Sequence, residues 1–332
     1  MSCILTPRAG VSSDKGNETT ALEIFATFVG LLRRTLRKER EASGGAECAG
    51  NVATLPNIER QMKGKRILYI NQEVEPYIEG SQLAKQGGIL PRIALESGAE
   101  VRTFIPKYGT INERRNQLHD VHRLSGLNLL VAKEDYTLLI KVASIPGTRL
   151  QVYFIDNLEF FSSRHGVLYE ETGAPYSDND RRGVFFCKGV LETIKKLRWR
   201  PDIIHCNGWL AGYLPPLVRL AYKHDPIFSK TKVITSLYQD NLTELAGSDV
   251  HDSSAVMKLP EGEAELVADG SHRTLSELAI RYSDGVAMGE DGVDDALLTY
   301  TQAQGKPVFD LRNPEQLSEV YEKLLADAPT QS

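Results

Sequence analysis

The sequence is poor in the features that mark several common classes of protein. Its four cysteines, Cys3, Cys48, Cys187 and Cys206, form neither a C-x-x-C pair nor a zinc-ligand spacing, which favours reduced thiols and predicts no metal site. No apolar run approaches the roughly 18 residues of a membrane-spanning helix. Residues 1–10 also lack the apolar core and the small-residue cleavage site of an export signal. These absences predict a cytoplasmic protein without a transmembrane segment.

An excess of positive charge is also missing. The 332 residues contain 39 Lys and Arg against 44 Asp and Glu, which gives a net charge of −5. Such a balance is typical of ordinary protein surfaces in water and lacks the basic footprint of a nucleic-acid-binding protein. We therefore expect no nucleic-acid partner, and no motif in the chain predicts a cofactor.

From residue 66 onward, runs with strand character alternate with segments of helical periodicity. This alternation predicts the α/β class, as a single Rossmann-like domain at residues 65–328 with a mainly parallel sheet covered on both faces. The acidic, glycine-containing residues 244–272 predict a long surface loop. The predicted strands are 66–71, 100–105, 137–143, 150–156, 202–206, 232–237, 284–288 and 307–309, and the predicted helices are 89–97, 181–197, 209–222, 273–282 and 314–325.

Residues 1–64 are predicted to be an extension, with a linker rich in glycine and alanine at 41–56. Residues 21–40 combine helical spacing of apolar residues with a basic end. One interpretation is a helix that binds a membrane surface or a partner. Another is a helix that packs on its own domain or frays, and a third is that translation starts at Met62 and the extension is an artefact.

Residues 72–91, QEVEPYIEGSQLAKQGGILP, are the most informative part of the chain. They follow the first predicted strand, where Rossmann-type folds hold a phosphate against a helix N-terminus, and their final proline is predicted to open that helix. A phosphate cradle needs glycines and often a lysine. This loop instead offers Glu79, Gly80, Ser81 and Gln82, and a carboxylate at that position repels a diphosphate.

The same residues resemble the pattern E-x-x-P-x-x-K-T-G-G-L-A-D-V-x-x-x-L-P, which opens the N-terminal domain of bacterial glycogen and starch synthases, the family 5 glycosyltransferases. Without a gap, Glu79 takes the position of the family's lysine, Ser81 and Gln82 those of its two glycines, and Lys85 that of its aspartate. The alternative alignment equates residues 85–88, KQGG, with the family's K-x-G-G, but it needs a six-residue deletion. We prefer the ungapped alignment, in which the matching residues are Glu73, Pro76, Leu83, Ala84, Leu90 and Pro91.

Further stretches carry the resemblance to about residue 290. Residues 98–108 and 176–182 resemble other conserved segments of the family, and residues 233–238 resemble a strand that normally reads T-I-H-N. Residues 201–212, PDIIHCNGWLAG, resemble P-D-x-x-H-x-H-D-W-H-x-G. There Asn207, Gly208 and Leu210 replace the second histidine, the aspartate and the third histidine, so scaffold positions match while most polar positions that face ligands do not.

The candidate substrate-binding residues come from the two motifs that end the first strand and the strand at 202–206. His205 ends a buried strand, where a hydrogen-bonded core histidine is the competing interpretation. Trp209 fits either a carbohydrate cleft or core packing. We assign no catalytic residue, and the predicted substrate-binding residues are Tyr77, Glu79, Ser81, Gln82, His205, Asn207 and Trp209.

Other polar groups have competing structural interpretations. Residues 178–180, DND, are predicted to cap the helix that follows, with a sugar or metal site as the alternative. Cys206 is predicted to be a buried thiol because no base is positioned to activate it as a nucleophile. Arg114 and Arg115 are predicted to anchor a surface loop, with anion binding as the alternative.

Membership of this family implies glucosyl transfer from ADP-glucose to the non-reducing end of an α-1,4-glucan, in a cleft between two Rossmann-like domains, of which the matched region accounts for the first. The leading hypothesis is a divergent member, inactive by itself, that keeps a cleft for a glycan, a nucleotide sugar or a protein partner. A second is a glucosyltransferase for ADP-glucose or UDP-glucose in glycogen synthesis, with its donor domain on another chain. A third is a hydrolase or other enzyme that reuses the same cleft with Glu79 as its acid or base.

Overall fold

The computed structural model describes residues 62–239, 250–266 and 270–326, and its centre is a ten-stranded sheet. The order across the sheet is β10-β9-β8-β7-β1-β2-β6-β5-β3, and β4 pairs with β5. Neighbours from β10 to β6 are parallel, whereas β3, β4 and β6 each pair with β5 in the antiparallel direction. The predicted α/β fold with a mainly parallel sheet is therefore confirmed. The strands are β1 (Arg66–Asn71), β2 (Glu100–Pro106), β3 (His119–Asp120), β4 (Leu127–Val131), β5 (Glu134–Ser144), β6 (Gln151–Asp156), β7 (Ile203–Asn207), β8 (Lys232–Leu237), β9 (Gly285–Met288) and β10 (Val308–Asp310).

Helices connect the strands, and no described helix is long and apolar enough to cross a membrane. The segment between β7 and β8 is irregular: a 3-10 turn, an α-turn and a π-turn follow one another, and we call the whole segment α3. A π-turn, Leu158–Ser162, follows β6, and a 3-10 turn, Pro314–Gln316, precedes the last helix. The helices are α1 (Gln82–Glu96), α2 (Asn179–Lys196), α3 (Trp209–Tyr213, Leu214–Pro216 and Leu217–Ala221), α4 (Val250–Met257), α5 (Glu261–Leu266), α6 (His272–Tyr282), α7 (Asp295–Ala303) and α8 (Leu317–Ala326).

The central strand β1 sends alternate side chains into two apolar layers. Leu68 and Ile70 are buried in the layer that contains α2 and α3, while Ile67 and Tyr69 are buried in the layer that contains α1 and α8. This alternation follows from the two-residue period of a strand. Helical spacing predicts an apolar stripe on α2, and it lies in the first layer, where four members are buried and the last is half-buried: Val184, Cys187, Leu191, Ile194 and Leu197.

Helix α1 starts at Gln82, earlier than the predicted residue 89. Its N-cap is Ser81, whose hydroxyl oxygen accepts a hydrogen bond from the Ala84 backbone N–H at 2.9 Å. Pro91 lies inside the helix, so the prediction that it opens the helix is wrong. A serine side chain at an N-cap satisfies one of the free amides of the first turn, and this local signal fixes the start of the helix.

Other differences arise where tertiary contacts or unusual turns decide the structure. The predicted loop at 244–272 is wrong in its described part, because α4 and α5 lie there. Buried Ser253 of α4 donates a hydrogen bond to Asp180 Oδ2 at 2.7 Å, a contact that no local pattern reveals. The predicted strands omit β3 and β4. The turn between β4 and β5 places Ala132 and Lys133 at positive φ angles of 51° and 69°. Asparagine and glycine are the usual residues in this conformation, so the turn lacks its usual sequence signal.

Residues 1–61 lie outside the described residues. The predicted helix at 21–40, the linker and the boundary of the extension near residue 64 therefore stay predictions. Met62, where the described chain begins, is buried in the layer beneath α1 and α8.

Candidate functional site

The order of the strands reverses direction at β1. The chain passes from β1 to β2 on one side, whereas β7 lies on the other side. Open α/β sheets bind ligands at such a switch point, outside the carboxyl ends of the strands. Here those ends bring residues 71–73 next to residues 207–209, with Asn71 opposite Asn207. We call these six residues the switch-point crevice, and two predicted site residues, Asn207 and Trp209, belong to it.

A carboxylate of the protein lies beside the first turn of α1. Glu73 accepts a hydrogen bond from the Ser81 hydroxyl at 2.5 Å through Oε2 and one from Gln72 Nε2 at 3.2 Å through Oε1. Ser81 is also the N-cap of α1. The partial positive charge of this helix N-terminus is therefore already matched by a negative group, and a phosphate placed there would meet a like charge.

The outer part of the same loop carries the remaining predicted residues. Glu79 is exposed, and Gln82 is half-buried as the first residue of α1. Between them, Gly80 has φ 106°, a conformation that favours glycine, and open space where a Cβ would lie. Glu79 thus presents its carboxylate to solvent and does not lie inside an enclosed pocket.

The two glycines of the alternative alignment lie inside α1. A Cβ on Gly87 would lie 2.3 Å from the carbonyl oxygen of Glu73, and one on Gly88 would lie 2.9 Å from the carbonyl oxygen of Glu75. These positions need glycine because the helix packs against the backbone of the first loop. This placement supports the ungapped alignment, in which Ser81 and Gln82 hold the positions of the family's glycines.

The side chain of Asn207 is buried and held by two neighbours. Its Nδ2 donates to Asn71 Oδ1 at 2.7 Å, and its Oδ1 accepts from the Tyr238 hydroxyl at 3.1 Å. Asn71 Nδ2 is itself buried and has no hydrogen-bond partner in the described part of the chain. The amide that replaces the family's second histidine is thus fixed by protein groups, while the neighbouring amide of Asn71 has N–H donors to offer.

Gly208 cannot carry a side chain without a rearrangement. Its φ is 85°, and a Cβ would lie 2.7 Å from Leu83 Cδ1 and 2.8 Å from Gln72 Cβ. Gln72 fills this space because its Oε1 accepts a hydrogen bond from the Leu210 backbone N–H at 3.2 Å. The position of the family's aspartate is therefore closed by the packing of the first loop.

His205 lies in the core, in agreement with the competing interpretation of a hydrogen-bonded core histidine. The Tyr321 hydroxyl donates to Tyr69 at 2.8 Å, so it accepts from His205 Nδ1–H at 2.7 Å. The other ring nitrogen, Nε2, then accepts from the Ser236 hydroxyl at 2.6 Å. Burial lowers the pKa of His205 to about 3, so the ring is neutral and both of its nitrogens are engaged by the protein.

Tyr77 also packs in the apolar interior. Its ring meets the edge of Phe154 with 4.9 Å between ring centroids. Its hydroxyl has no hydrogen-bond partner among the described residues, and burial raises the pKa of Tyr77 to about 12. The binding roles of Tyr77 and the other six predicted residues stay predictions.

Trp209 is 5% exposed and lies on the wall of a recess between α3 and α6. Its ring meets the edge of Tyr213 with 5.4 Å between centroids. The indole Nε1–H is buried and finds no hydrogen-bond acceptor within the described ranges. An unsatisfied buried donor costs about 1–3 kcal/mol, so this indole is a strong candidate for contact with a ligand. We call the recess between α3 and α6 the Trp209 recess. The residues that line it include Trp209, Gly212, Leu237, His272, Leu275 and Ser276.

The other polar candidates have structural roles. Asp178 is the N-cap residue of α2, as predicted, but its side chain makes no capping hydrogen bond and instead pairs with Arg164 through two hydrogen bonds of 2.8 and 2.6 Å. Cys206 is a free, buried cysteine, and burial raises the pKa of its thiol. Arg114 and Arg115 are exposed on the segment after β2.

The sequence reasoning did not assign Asn71, Gln72 or Tyr238 to the site, although they hold the crevice together. Asn71 and Gln72 carry a local signal, since two polar residues directly follow a buried apolar strand. Tyr238 stands at the asparagine of the T-I-H-N strand in the family resemblance, but its contact with Asn207, 31 residues away in the sequence, has no local signal.

Comparison with known proteins agrees with this geometry. A family model described as the starch synthase catalytic domain matches residues 66–305. A glycogen synthase of Chlorobium limicola is 38% identical over 174 residues, which are 52% of this chain and 35% of that protein. A glycogen synthase of Chlorobium phaeobacteroides is 34% identical over 240 residues, which are 72% of this chain and 46% of that protein. The chain thus spans about a third to a half of the length of these relatives.

A solved structure shares the fold. It is the catalytic domain of starch synthase IV from Arabidopsis thaliana bound to ADP and acarbose, with a TM-score of 0.59 and 18% identity over 75% of this chain and 51% of that one. The family match covers most of the described residues and includes both strands that flank the crevice. The chain therefore belongs to the family 5 glycosyltransferases, the family of the starch synthase catalytic domain.

Proposed function

We propose that this chain is a divergent family 5 domain that binds a neutral α-glucan at the switch-point crevice and does not transfer glucose by itself. The observation that carries the proposal is the first turn of α1, where the Glu73 carboxylate is hydrogen-bonded to Ser81 and Glu79 stands at the position of the family's lysine. Glu73 itself matches the family's pattern, so it is the replacement of the lysine that leaves this carboxylate without its balancing charge. Transfer from a nucleotide sugar needs positive charge or free helix amides at the departing diphosphate. In this chain a negative group lies there.

The magnitude of this repulsion disfavours a nucleotide ligand. Two like charges about 4 Å apart repel by about 4 kcal/mol at an effective dielectric of about 20, which is about a thousandfold in affinity. Glu79, at the position of the family's lysine, adds a second negative charge. Because Glu79 is exposed, solvent and salt screen its contribution more strongly than that of half-buried Glu73.

The remaining polar groups suit a neutral ligand. Asn71 Nδ2 and Trp209 Nε1 are uncharged, buried donors without partners among the described residues. Binding pockets of this kind combine apolar walls with a few placed polar groups, and an indole supplies both in one side chain. A glycan hydroxyl accepts from such donors without a counter-charge.

Two measurements on the purified chain test the proposal. With ADP-glucose and glycogen, glucose incorporation should stay at background. Calorimetry should detect maltoheptaose binding but no ADP binding at the same concentrations. Incorporation that is abolished by a change at Glu79 or Trp209 would contradict the proposal, and so would ADP binding without glycan binding.

A pair of isosteric variants tests the observation that carries the proposal. Glu73→Gln removes the charge at the helix N-terminus and keeps an acceptor for Ser81, so ADP affinity should rise. Glu75→Gln is the matched control, because Glu75 is a half-buried carboxylate of the same loop. Equal ADP affinity in both variants would show that the Glu73 charge does not decide ligand choice.

A second candidate is glucosyl transfer with a donor domain supplied by another chain. It is supported by the family model, which matches residues 66–305 and is described as the starch synthase catalytic domain. Co-purification with a second protein that binds ADP-glucose, and activity of the mixture alone, would support this candidate. The hydrolase hypothesis has no support, because Glu79 is exposed rather than enclosed.

The location and the partner stay predictions. We expect the protein in the cytoplasm, where glycan stores and reduced thiols are found together, and cell fractionation checks this. A protein partner also stays a prediction, either in the crevice or as the source of a donor domain.

A further inference from the structure

The Trp209 recess adjoins the switch-point crevice, and Gly208 and Trp209 border both. The recess lies between α3 and α6, beside the end of β8, and its cavity volume is about 20 Å³. That is room for one water molecule or one hydroxyl group. Its walls are mostly apolar, from Gly212, Leu237 and Leu275, and Ser276 supplies a hydroxyl that lies 3.4 Å from His272 Nε2.

The indole of Trp209 gives this recess a defined chemistry. Nε1–H only donates hydrogen bonds, and it has no acceptor in the described part of the chain. The lining residues Trp209, His272 and Ser276 keep 5%, 9% and 8% of their surface exposed. These residues are almost fully buried, and one of them, Trp209, carries an indole donor without an acceptor in the described part of the chain. Among the described residues, no lysine or arginine lines the recess, so it offers an anion neither of these counter-charges.

We infer that the Trp209 recess binds one hydroxyl group of a neutral sugar or polyol, which accepts a hydrogen bond from the indole Nε1–H. This inference rests on the proposed glycan function and makes Trp209 a specificity-determining residue within it. The Ser276 hydroxyl on the facing wall is the second polar contact. A ligand group of this size enters as a single arm of the sugar, while the rest of the glycan lies in the crevice outside.

One substitution fills the recess without disturbing the fold. A Cβ on Gly212 would lie 3.6 Å from Leu275 Cγ and 3.8 Å from Ala279 Cβ, which are ordinary van der Waals distances. Gly212→Ala should therefore fold normally and occupy the space of the hydroxyl. Gly262→Ala is the matched control, because it adds the same methyl to helix α5 with no atom within 4 Å. Trp209→Phe removes the N–H and keeps an aromatic ring.

The protein's two tryptophans allow a direct reading of the contact. In the ¹H–¹⁵N spectrum of the ¹⁵N-labelled chain, each indole N–H gives one peak. Trp199 is the internal reference, since its Nε1–H already donates to Glu100 Oε1 at 2.5 Å. On titration with maltoheptaose, the Trp209 peak should move downfield while the Trp199 peak stays in place. Trp209→Phe assigns the peaks by removing one of them.

Calorimetry on the variants completes the test. We expect maltoheptaose to bind Gly212→Ala at least tenfold more weakly than the parent, Trp209→Phe about fivefold more weakly, and Gly262→Ala equally well. Parent-like binding by Gly212→Ala, or calorimetric binding that leaves the Trp209 peak unmoved, would overturn the inference and leave the proposed function intact.

The two proposals fail in different ways. If maltoheptaose does not bind the parent, the proposed function is wrong, and a titration with glycerol then decides the recess on its own. A shift of the Trp209 peak in glycerol, absent in Gly212→Ala, supports a hydroxyl-binding recess. No shift of that peak overturns it.

Discussion

Gly87→Ala tests the contact that separates the two alignments of the first loop. The new Cβ would lie 2.3 Å from the carbonyl oxygen of Glu73 and 3.3 Å from Val74 Cγ2. The first atom belongs to the backbone, so it cannot rotate away and the loop has to move. Overpacking of this kind costs about 3 kcal/mol at the upper end of its usual range, and replacing glycine by alanine inside a helix returns about 1 kcal/mol. We therefore expect a net loss of about 2 kcal/mol in the free energy of unfolding.

Urea denaturation of the parent and two alanine variants measures this loss. Gly262→Ala, in helix α5, provides the helix-propensity gain without a clash, so it should stabilise the protein by about 0.5–1 kcal/mol. The difference between the two variants then isolates the contact with Glu73. If Gly87→Ala is as stable as the parent, the loop does not lie on the helix as described. The alternative alignment, in which residues 85–88 match the family's K-x-G-G, would then be preferred.

Three further predictions concern the loop, the extension and a charge network. Glu79→Lys should tighten ADP binding and make it more sensitive to salt without restoring transfer, and unchanged affinity in calorimetry would show that Glu79 does not face the anion position. A chain that starts at Met62 should stay folded by circular dichroism, since the first strand follows it and Met62 itself is buried; unfolding would show that the extension packs into the core. Burial acts to raise the pKa of Glu113, but hydrogen bonds from Lys107 and Lys141 outweigh it, so the pKa is lowered overall. Glu113→Gln should therefore lower the free energy of unfolding by less than about 1 kcal/mol near neutral pH. This loss should vanish as the pH falls through the lowered pKa of Glu113. A loss that grows in acid would show that the pKa of Glu113 is not lowered.

Much of the fold was predictable because it follows from periodicity. The alternation of Ile67, Leu68, Tyr69 and Ile70 between two layers needs only the two-residue period of a strand. The apolar stripe of α2 follows in the same way from helical spacing. The start of α1 was not predicted although Ser81 is an ordinary capping residue, because proline is typical of the first turn of a helix and Pro91 lies inside this one.

The site was only partly predictable. Its residues belong to contiguous sequence motifs, whereas the hydrogen bonds that fix them join residues far apart in the sequence. Motif resemblance located the two chain segments that meet at the crevice. The partners that fix them come from distant parts of the sequence: Asn207 and Asn71 are 136 residues apart, and Leu210 and Gln72 are 138 apart. Comparison with the family's motifs shows which motif residues are replaced in this chain. It does not show that Asn71, Gln72 and Glu73 form hydrogen bonds with the residues that replace them.

The hydroxyl of Tyr321 is hydrogen-bonded to His205 Nδ1 and to the hydroxyl of Tyr69. Tyr321 lies 116 residues after His205 and 252 residues after Tyr69 in the sequence. During synthesis, β1 and β7 therefore leave the ribosome long before α8 has been made. In that interval the face on which α1 lies lacks the cover of α8, and exposed apolar strands are prone to aggregate. Contacts so distant in sequence also form slowly. The burial of that face is therefore completed only after α8 has been synthesised.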